Sequence, residues 1–330
     1  MGTLGVVLAA GQGKRLRPLT LTRSKPLLPV LGKPLVEWVL EMLYAGGVSR
    51  FLVVVNPSDT RLMEYLRLDS DFRETISLAF QEKPLGMADA LRCARPFIKG
   101  DFILAACDNL VKPEHIRQLV LAKQEPGVNA VLSLCPMPRM QFNRLGAVVL
   151  EGEWVKKIVE KPGPKAAPSE IASLPIYAFS QALLNYLDQV PISPRGEYEI
   201  QDAIQMLIDH QGGVKGVFTA WRMDVTEPAD LLEMNIHLLQ RGYQVRLPDP
   251  KQVGGNTLVF PPVRVEEDVS IGEGCLIGPC VYLEKGTRVG NGSVIRWATV
   301  LSGAEIRDGE TIIGEIRYPY PKILKGEETE

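Results

Sequence analysis

Residues 6–20 read VVLAAGQGKRLRPLT, and residues 24–27 read SKPL. The β-branched run Val6–Leu8 predicts a short buried strand. Gly11 and Gly13 follow that strand directly, and two glycines at this point let backbone N–H groups approach a phosphate closely. The spacing differs from both the GxGxxG and the GxxxxGK[ST] phosphate motifs. The sequence therefore predicts an anion-binding loop of another class.

Positive charge lies beside this glycine loop. Arg15 follows it by two residues, and Lys25 comes shortly afterwards in a Lys-Pro pair. Both side chains can neutralise the oxygens of a phosphorylated ligand. The combination is far more specific than a glycine pair alone, which is typical of any simple turn.

Strand and helix signals alternate through the first 240 residues. Short β-rich runs indicate strands at Val6–Leu8, Phe51–Val55, Ser77–Phe80 and Phe102–Ala105. This alternation predicts βαβ units and an α/β domain with a mostly parallel sheet. Ligands of such sheets bind at the carboxyl ends of the strands. We therefore expect the chemistry in the loops that follow Leu8, Phe80 and Ala105.

Helical spacing is clear in two segments between these strands. One runs from Leu35 to Leu43, with Pro34 near its start and Gly46–Gly47 as its stop. The other runs from about Pro113 to Lys123.

A different periodicity governs the C-terminal part. Eight aliphatic residues recur in steps of six, and small or β-branched residues stand two positions before each: Val259, Val265, Ile271, Ile277, Leu283, Val289, Ile295 and Leu301. This pattern predicts a left-handed parallel β-helix of hexapeptide repeats, with the aliphatic side chains on the axis and fewer than three complete coils. The predicted domains are residues 1–241, a linker 242–256, the β-helix 257–318 and a charged tail 319–330.

Composition excludes several classes of protein. Lys and Arg total 37 against 39 Asp and Glu, a net charge of −2, which argues against binding to nucleic acid through bulk positive charge. No apolar run approaches the roughly 18 residues that suggest a membrane span, and the N-terminus lacks the basic region of a secretory signal. Five cysteines without a CxxC pair indicate a cytoplasmic protein without a disulfide framework or a zinc site. The three histidines lie on predicted helices and are interpreted as structural or solvent-facing.

These motifs together resemble the sugar nucleotidyltransferases, most closely the long-form glucose-1-phosphate thymidylyltransferases. The signature is the GxGxRL loop followed by Lys-Pro. Further matches follow in the family's order, at residues 81–90 (QEKPLGMADA), 108–109 (DN), 145–147 (LGA), 160–162 (EKP), 196–204 (GEYEIQDAI) and 224–233. The resemblance covers about residues 3–240 and implies a Rossmann-like nucleotidyltransferase domain.

The resemblance implies an activity. A sugar 1-phosphate, with glucose-1-phosphate favoured, would attack the α-phosphorus of a nucleoside triphosphate, with dTTP or UTP favoured, and release pyrophosphate. Arg15 would bind the leaving phosphates, and Lys25 would stabilise the charge at the α-phosphate. The remaining nucleotide-binding positions implied are Leu8, Ala10, Gly11, Gly13, Gln81 and Gly86. A Gln81 amide offers a donor and an acceptor to a pyrimidine edge.

The resemblance also implies a metal site and a sugar-phosphate site. Asp108 and Asp224 would bind Mg²⁺ together with substrate phosphates, since hard oxygen ligands suit that ion. Lys161 would hold the phosphate of the sugar, while Gly146 and Glu160 would contact its hydroxyl groups.

The sequence departs from the family pattern at two positions that affect specificity. Cys107 stands where a glycine usually precedes the metal-binding aspartate. Pro175 stands in a segment that usually carries a sugar-contacting glycine, and it removes one backbone N–H donor. We expect weaker and less selective sugar binding from the second change.

Two other functions compete with this interpretation. A regulatory paralogue would bind sugar nucleotides without turnover, but such proteins typically lose one of the four charged residues Arg15, Lys25, Asp108 and Asp224. A β-helix acyltransferase would use a histidine on that element, whereas all three histidines precede residue 240. We also expect a homo-oligomer, because β-helix faces commonly pack between subunits.

Overall fold

The computed structural model describes residues 3–319. Within that range no helix combines the length and the apolar character that crossing a membrane requires. The helices are α1 (Leu35–Ala45), α2 (Thr60–Leu68), α3 (Met87–Ala94), α4 (Pro113–Lys123), α5 (Ile200–His210) and α6 (Pro228–Gln240). The strands are β1 (Thr3–Leu8), β2 (Pro29–Val30), β3 (Lys33–Pro34), β4 (Val48–Val55), β5 (Ile76–Phe80), β6 (Phe102–Ala106), β7 (Asn109–Val111), β8 (Ala130–Pro136), β9 (Gly146–Glu151), β10 (Trp154–Val159), β11 (Ile171–Phe179), β12 (Val214–Phe218), β13 (Arg222–Asp224), β14 (Leu258–Val259), β15 (Val263–Val265), β16 (Ser270–Ile271), β17 (Leu276–Ile277), β18 (Val281–Leu283), β19 (Arg288–Val289), β20 (Val294–Arg296), β21 (Ala298–Val300), β22 (Glu305–Ile306), β23 (Thr311–Ile313) and β24 (Ile316–Arg317).

The chain divides into two compact units. Unit 1 comprises residues 1–12 and 36–223, and unit 2 comprises residues 13–35 and 224–330. These units differ from the contiguous domains predicted from the sequence. The segment 13–35, which carries Arg15 and Lys25, belongs with the C-terminal half of the chain.

Unit 1 is built on a nine-stranded sheet with the order β5-β4-β1-β6-β11-β8-β12-β10-β9. The first four strands are parallel, as the βαβ pattern predicts. From β11 onward most pairings are antiparallel, and β12 with β8 is the parallel exception. The expectation of a mostly parallel sheet is therefore wrong. Strands β9 and β10 form an antiparallel hairpin, and β11 is antiparallel to β6, β8 and β9.

The helices of unit 1 follow the signals in their sequence. Helix α1 ends immediately before Gly46–Gly47, and a Cβ on Gly46 would collide with the side chain of Ile116 on α4. Glycine is therefore required where these two helices approach. Helix α4 has the predicted bounds, and its buried His115 lies 2.8 Å from the Ser133 hydroxyl on β8. This histidine is structural, as expected.

Strand register brings three loops to one edge of the sheet. Leu8 lies opposite Val54 on β4 and opposite Ala106 on β6. On the far side of β4, Val55 lies opposite Phe80. The carboxyl ends of β1, β5 and β6 therefore coincide, which confirms the position expected for the loops that follow them.

The C-terminal part of unit 2 consists of three sheets of parallel strands, in the orders β14-β17-β20-β23, β15-β18-β21-β24 and β16-β19-β22. We call residues 257–319 the repeat region. Partner residues in its first coils are 18 positions apart, as with Val263 and Val281. Its buried interior is aliphatic and includes Val265, Ile271, Ile277, Leu283, Val289 and Ile295. The arrangement is that expected of a β-helix.

Two details of the repeat region correct the sequence-based prediction. Leu283 lies opposite Val300, 17 positions away, so the six-residue step shortens by one near Trp297. The next interior residues are accordingly Val300, Ile306 and Ile312. Leu301 is buried, but Val300 and not Leu301 continues the series of interior aliphatic residues. Two of the three sheets contain four stacked strands, and each coil contributes one strand to a sheet. The repeat region therefore has more coils than the fewer than three that were expected.

The predicted linker 242–256 already pairs with the repeat region. Arg246 forms a parallel bridge with Arg264, and Val253 forms one with Ile271. Both pairs are 18 residues apart, so the repeat spacing begins before residue 257.

Candidate functional site

The loop after β1 begins the candidate site in unit 1. The amide of Ala9 donates to the Val54 carbonyl at 2.8 Å, and the Leu8 carbonyl accepts from the Cys107 amide at 3.1 Å. Leu8 and Ala10 are buried and hold this loop on the sheet. A Cβ on Gly11 would meet no atom within 4 Å, so the space beside its backbone is open to a ligand.

Gln81 and Gly86 lie together in the loop between β5 and α3. The Gln81 side-chain nitrogen donates to the Gly86 carbonyl at 3.1 Å and to Asp89 Oδ2 at 2.8 Å. Both partners are acceptors, which fixes the orientation of the amide. The nitrogen is therefore used within the protein, and Oε1 is the atom of this amide that a ligand can use.

Gly86 has a structural reason to be glycine. Its φ is +102°, and a Cβ would lie 2.6 Å from the Tyr198 carbonyl oxygen and 2.8 Å from the Tyr198 nitrogen. The neighbouring backbone completes this contact, because Tyr198 donates to Leu85 at 2.7 Å and Ala88 donates to Tyr198 at 3.0 Å.

Asp108 lies in the turn between β6 and β7, at the strand end where the sequence places it. Its Oδ1 accepts a hydrogen bond from the Asn109 side chain at 2.9 Å. The preceding Cys107 is buried, so its side chain packs into the protein.

Gly146, Glu160 and Lys161 meet on the hairpin β9–β10. A Cβ on Gly146 would lie 3.0 Å from Glu160 Oε2, so glycine leaves room beside that oxygen. Lys161 Nζ lies 3.1 Å from Glu160 Oε1, whereas the buried Oε2 has no hydrogen-bond partner. Burial raises the pKa of the Glu160 carboxyl above its ordinary value. An unpartnered buried carboxylate oxygen is costly in a folded protein, and it is explained when a ligand supplies the donor.

The backbone of Lys161 is unusual. Its φ is +43°, in the left-handed region that non-glycine residues rarely adopt. Such a conformation costs of order 1–3 kcal/mol and is typical of ligand sites. This backbone conformation lets the consecutive residues Glu160 and Lys161 place their charged groups side by side, 3.1 Å apart.

The structure adds two residues, Arg195 and Glu199, that were not predicted from the sequence. Arg195 donates to Glu199 Oε1 at 2.8 Å, and the same oxygen accepts from the Ser193 hydroxyl at 2.9 Å. Both charges act on the Glu160 carboxyl, since Arg195 lowers its pKa and Glu199 raises it. The signal available was a cation immediately before the Gly196–Ile200 motif.

A buried polar pair lies beneath this group. The Tyr177 and Ser173 hydroxyls on β11 are 2.9 Å apart, and Ser173 lies opposite Gly146 in the register. Burial raises the pKa of Tyr177 above its ordinary value. The tyrosine therefore stays neutral and serves as a hydrogen-bonding support.

Pro175 lies within strand β11. The pairing between β11 and β8 shifts register between Leu174 and Tyr177. An irregularity of this kind tolerates proline, which has no N–H to donate to the ladder. Its predicted effect on sugar binding stays a prediction.

In unit 2, the segment 13–28 carries the two predicted cations. Gly13 has φ +59°, and a Cβ there would lie 3.1 Å from both the Lys25 Cβ and the Thr20 methyl. The Thr20 hydroxyl also donates to the Gly13 carbonyl at 2.9 Å. Short helical turns at Lys14–Leu16 and Lys25–Leu27 hold Arg15 and Lys25 at the two ends of this compact loop.

Asp224 is the last residue of β13, again at the predicted strand end. Its Oδ2 accepts from the Thr226 hydroxyl at 3.0 Å. The Thr226 and Glu227 amides in turn donate to Asp230 Oδ2 at 2.8 and 2.7 Å, which caps α6. The start of this helix therefore fixes the backbone that presents Asp224.

The predicted site residues thus form groups within each unit. Unit 1 brings together the β1 loop with Asp108, Gln81 with Gly86, and Gly146 with Glu160 and Lys161. Unit 2 brings together Gly13 and Lys25, and it also contains Arg15 and Asp224. Over residues 3–319, no cluster of three or more His, Cys, Asp or Glu side chains is arranged to hold a metal ion. Asp108 and Asp224 each place a carboxylate at a strand end, and carboxylate oxygens are ligands of the kind that Mg²⁺ prefers.

Comparison with known proteins matches residues 4–241 to the model of a family described as nucleotidyl transferase. The low-salt glycan biosynthesis nucleotidyltransferase Agl11 of Haloferax volcanii is 34% identical over 239 residues, or 72% of this chain. The glucose-1-phosphate thymidylyltransferase of Streptomyces griseus is 34% identical over 242 residues, or 71% of this chain. The matched region is 66% of the length of each relative, just under two thirds.

A solved structure supports the same fold. A UDP-glucose pyrophosphorylase complexed with UDP-glucose superimposes with a TM-score of 0.66 at 20% identity, covering 73% of this chain and 100% of the other.

Proposed function

The chain belongs to the nucleotidyl transferase family, and on that premise we propose that it transfers a nucleotidyl group from a nucleoside triphosphate to a sugar 1-phosphate. A phosphate oxygen of the sugar phosphate attacks the α-phosphorus. The bond between the α-phosphorus and the bridging oxygen breaks, and pyrophosphate leaves with the electron pair. The products are a nucleoside diphosphate sugar and pyrophosphate.

The unpartnered Glu160 Oε2 is the observation that carries this proposal. It is buried, it faces the space that Gly146 leaves, and Lys161 lies beside it. A sugar hydroxyl supplies the missing donor, and the ammonium group of Lys161 binds the phosphate of the same molecule. The group therefore fits a ligand that carries both hydroxyls and a phosphate, which describes a sugar phosphate.

The glycine loop and its cations would bind the triphosphate. Backbone N–H groups at Gly11 and Gly13 would donate hydrogen bonds to phosphate oxygens, and the Arg15 guanidinium would bind the leaving β- and γ-phosphates with paired donors. Lys25 stabilises the charge that grows at the α-phosphate in the transition state. Both reactants are anions, so alignment and neutralisation account for most of the catalysis.

The geometry of Gln81 narrows the expected base contact. Its amide nitrogen is bound to Gly86 and Asp89, so Oε1 would accept a hydrogen bond from the base. The N3–H group of uracil or thymine is such a donor. We therefore favour dTTP or UTP as the nucleotide, with glucose-1-phosphate as the favoured partner, since a relative of this chain is named glucose-1-phosphate thymidylyltransferase.

Asp108 and Asp224 would hold Mg²⁺ against the triphosphate. The ion supplies charge neutralisation on the phosphate oxygens when it is bound. The two carboxylates would bind it, and the side chains of Asn109 and Thr226 donate the hydrogen bonds that hold those carboxylates in place.

The repeat region, in this proposal, is a left-handed β-helix of hexapeptide repeats that supports the fold and self-association. No described observation favours acyl transfer there, because all three histidines of the chain precede it. A regulatory, non-catalytic role has no specific support either, since Arg15, Lys25, Asp108 and Asp224 are all present.

The proposal is tested by measuring magnesium-dependent pyrophosphate release. Five nucleoside triphosphates are combined with the 1-phosphates of glucose, N-acetylglucosamine, galactose and mannose. Release with dTTP or UTP and glucose-1-phosphate supports the proposal, and no release with any pair contradicts it. Arg15→Ala should weaken both turnover and triphosphate binding, whereas Lys25→Ala should mainly lower kcat.

A further inference from the structure

The segment 13–28 is internally compact but contains little regular structure. Its backbone hydrogen bonds include those from Leu16 to Gly13 at 3.0 Å and from Leu28 to Lys25 at 3.1 Å. The contact between Gly13 and Lys25 joins its two ends. A loop of this kind keeps its charged side chains in place only if something outside the loop restrains it.

An ion pair joins this segment to the repeat region. Arg23, two residues before Lys25, donates to Glu284 Oε1 at 2.7 Å across 261 positions of sequence. The two side chains are only 24% and 14% exposed, so water screens the pair less than a surface pair.

The carboxylate of this pair is itself fixed. Glu284 Oε2 accepts from the Ser302 amide at 2.7 Å, and the Glu284 amide donates to the Val300 carbonyl at 2.9 Å. Glu284 directly follows β18, and both of its partners lie on the next coil. Arg23 is thus bound to a rigid acceptor and not to a mobile side chain.

Packing continues around the ion pair. Residues of the segment and of the last coils line one small cleft: Pro18, Leu19, Thr22 and Arg23 on one side, and Leu301, Ser302, Tyr318 and Pro319 on the other. The hairpin β2–β3 makes a second contact, because Gly32 approaches the Arg264 and Glu266 side chains so closely that a Cβ has no room.

We propose that Arg23 and Glu284 are positioning residues, through which the repeat region holds the Arg15–Lys25 loop in the conformation that binds the triphosphate. This inference rests on the proposed function, in which that loop binds the nucleotide. Neither residue is assigned contact with substrate. The ion pair lowers the entropy that the loop must lose on binding, which is how preorganisation improves affinity.

The test compares Arg23→Ala, Glu284→Gln and the double variant. Each single change should raise the KM for the nucleotide by about three- to tenfold, the scale of one hydrogen-bonded pair. The KM for the sugar phosphate should stay within about twofold, because Glu160 and Lys161 lie in the other unit. The double variant should be no worse than either single variant, since both changes remove the same contact.

Glu310→Gln is the matched control. Glu310 binds Arg317 at 2.9 Å and the Arg307 amide at 3.0 Å, which reproduces the two contacts of Glu284 within the repeat region and away from the loop. It should leave the nucleotide KM unchanged while altering the melting temperature about as much as Glu284→Gln. Glutamine at 284 still accepts from Ser302, so this variant should fold.

A second readout does not depend on activity. Backbone amides of residues 13–28 should exchange with deuterium faster in Glu284→Gln than in Glu310→Gln. Equal exchange in the two variants overturns the inference, and so does additivity in the double variant. An effect of Arg23→Ala without any effect of Glu284→Gln also overturns it, because Arg23 would then bind the nucleotide directly. If the wild type releases no pyrophosphate with any substrate pair, the proposed function fails while the exchange experiment still tests the coupling.

Discussion

A single carboxylate, that of Glu160, destabilises the fold and is proposed to bind the sugar. Glu160 is buried, and desolvation is the largest influence on its carboxyl, followed by the attraction of Lys161. Its pKa is therefore raised from 4.5. Below pH 4.5 the folded and unfolded states are both protonated, whereas at higher pH the unfolded state loses its proton first. Stability should fall as the pH rises from 4.5 through the raised pKa.

Glu160→Gln should therefore separate stability from function. Near pH 7 the variant should melt at a higher temperature than the wild type, and the difference should vanish near pH 4. The kcat/KM for the sugar phosphate should fall by about ten- to a hundredfold, the scale of a lost hydrogen bond to a charged group. Melting curves at several pH values and steady-state kinetics check this. A variant with unchanged sugar kinetics would remove Glu160 from the site.

The two aspartates at strand ends provide a second prediction at the level of residues. Asp108→Ala or Asp224→Ala should lower turnover by roughly 10²–10³, the scale of losing one major electrostatic stabiliser. The matched control is Asp101→Ala, at the opposite end of β6, where Asp101 pairs with Lys123 at 2.9 Å. That change should leave kcat/KM unaltered. Near-full magnesium-dependent activity in either of the first two variants would exclude that residue as a ligand.

At the level of elements, the loop before α3 depends on one glycine. Gly86→Ala would place a methyl group 2.6 Å from the Tyr198 oxygen at a φ of +102°. Strain and crowding should together lower the free energy of unfolding by at least about 2 kcal/mol. Gly100→Ala is the control, because a Cβ at that position meets nothing within 4 Å. Denaturant unfolding of both variants checks the prediction, and equal stability would show that the loop adapts.

The elements predicted well are those with an uninterrupted local pattern. The strands β1, β4, β5 and β6 were placed to within a few residues, because each is a β-branched or apolar run bounded by polar residues. The antiparallel half of the sheet was missed, since β11 pairs with β6, β8 and β9, which are distant from it in sequence. The shortened step near Trp297 was not predicted, because Leu301 is also aliphatic and fits a six-residue repeat. The structure instead places Val300 opposite Leu283.

Site residues were predictable to the extent that motifs carry them. Gly146, Glu160 and Lys161 are distant from the glycine loop in sequence, and their own grouping on β9–β10 follows from the hairpin. The use of the Gln81 nitrogen by Gly86 and Asp89 could not be foreseen, because it depends on the side-chain orientation within a loop.

At the level of the whole molecule, unit 2 is discontinuous, and this changes what the C-terminal half is expected to do. Residues 13–35 belong with residues 224–330, so the segment that carries Arg15 and Lys25 has partners 204 and 261 residues later in the chain. The Leu31 amide donates to Asn235 on α6 at 2.8 Å, and Arg23 binds Glu284. The repeat region is thus part of the support for the loop that is proposed to bind the nucleotide, as well as a structural appendage.

A chain ending at Gly242 tests this view of the molecule. It keeps α6 and the Leu31–Asn235 hydrogen bond, but it loses Glu284 and the Arg264–Glu266 pair against which Gly32 packs. The amides of residues 13–35 should exchange more rapidly with deuterium than in the full chain. The truncated chain should also melt at a lower temperature or change its oligomeric state. Any residual activity should show a raised nucleotide KM with the sugar-phosphate KM preserved. A chain ending at Pro319 retains all these contacts and serves as the control. Equal stability and an unchanged nucleotide KM in the chain ending at Gly242 would mean that residues 1–242 hold the loop unaided. Turnover of acetyl-CoA by the intact chain would mean that the repeat region has a catalytic role of its own.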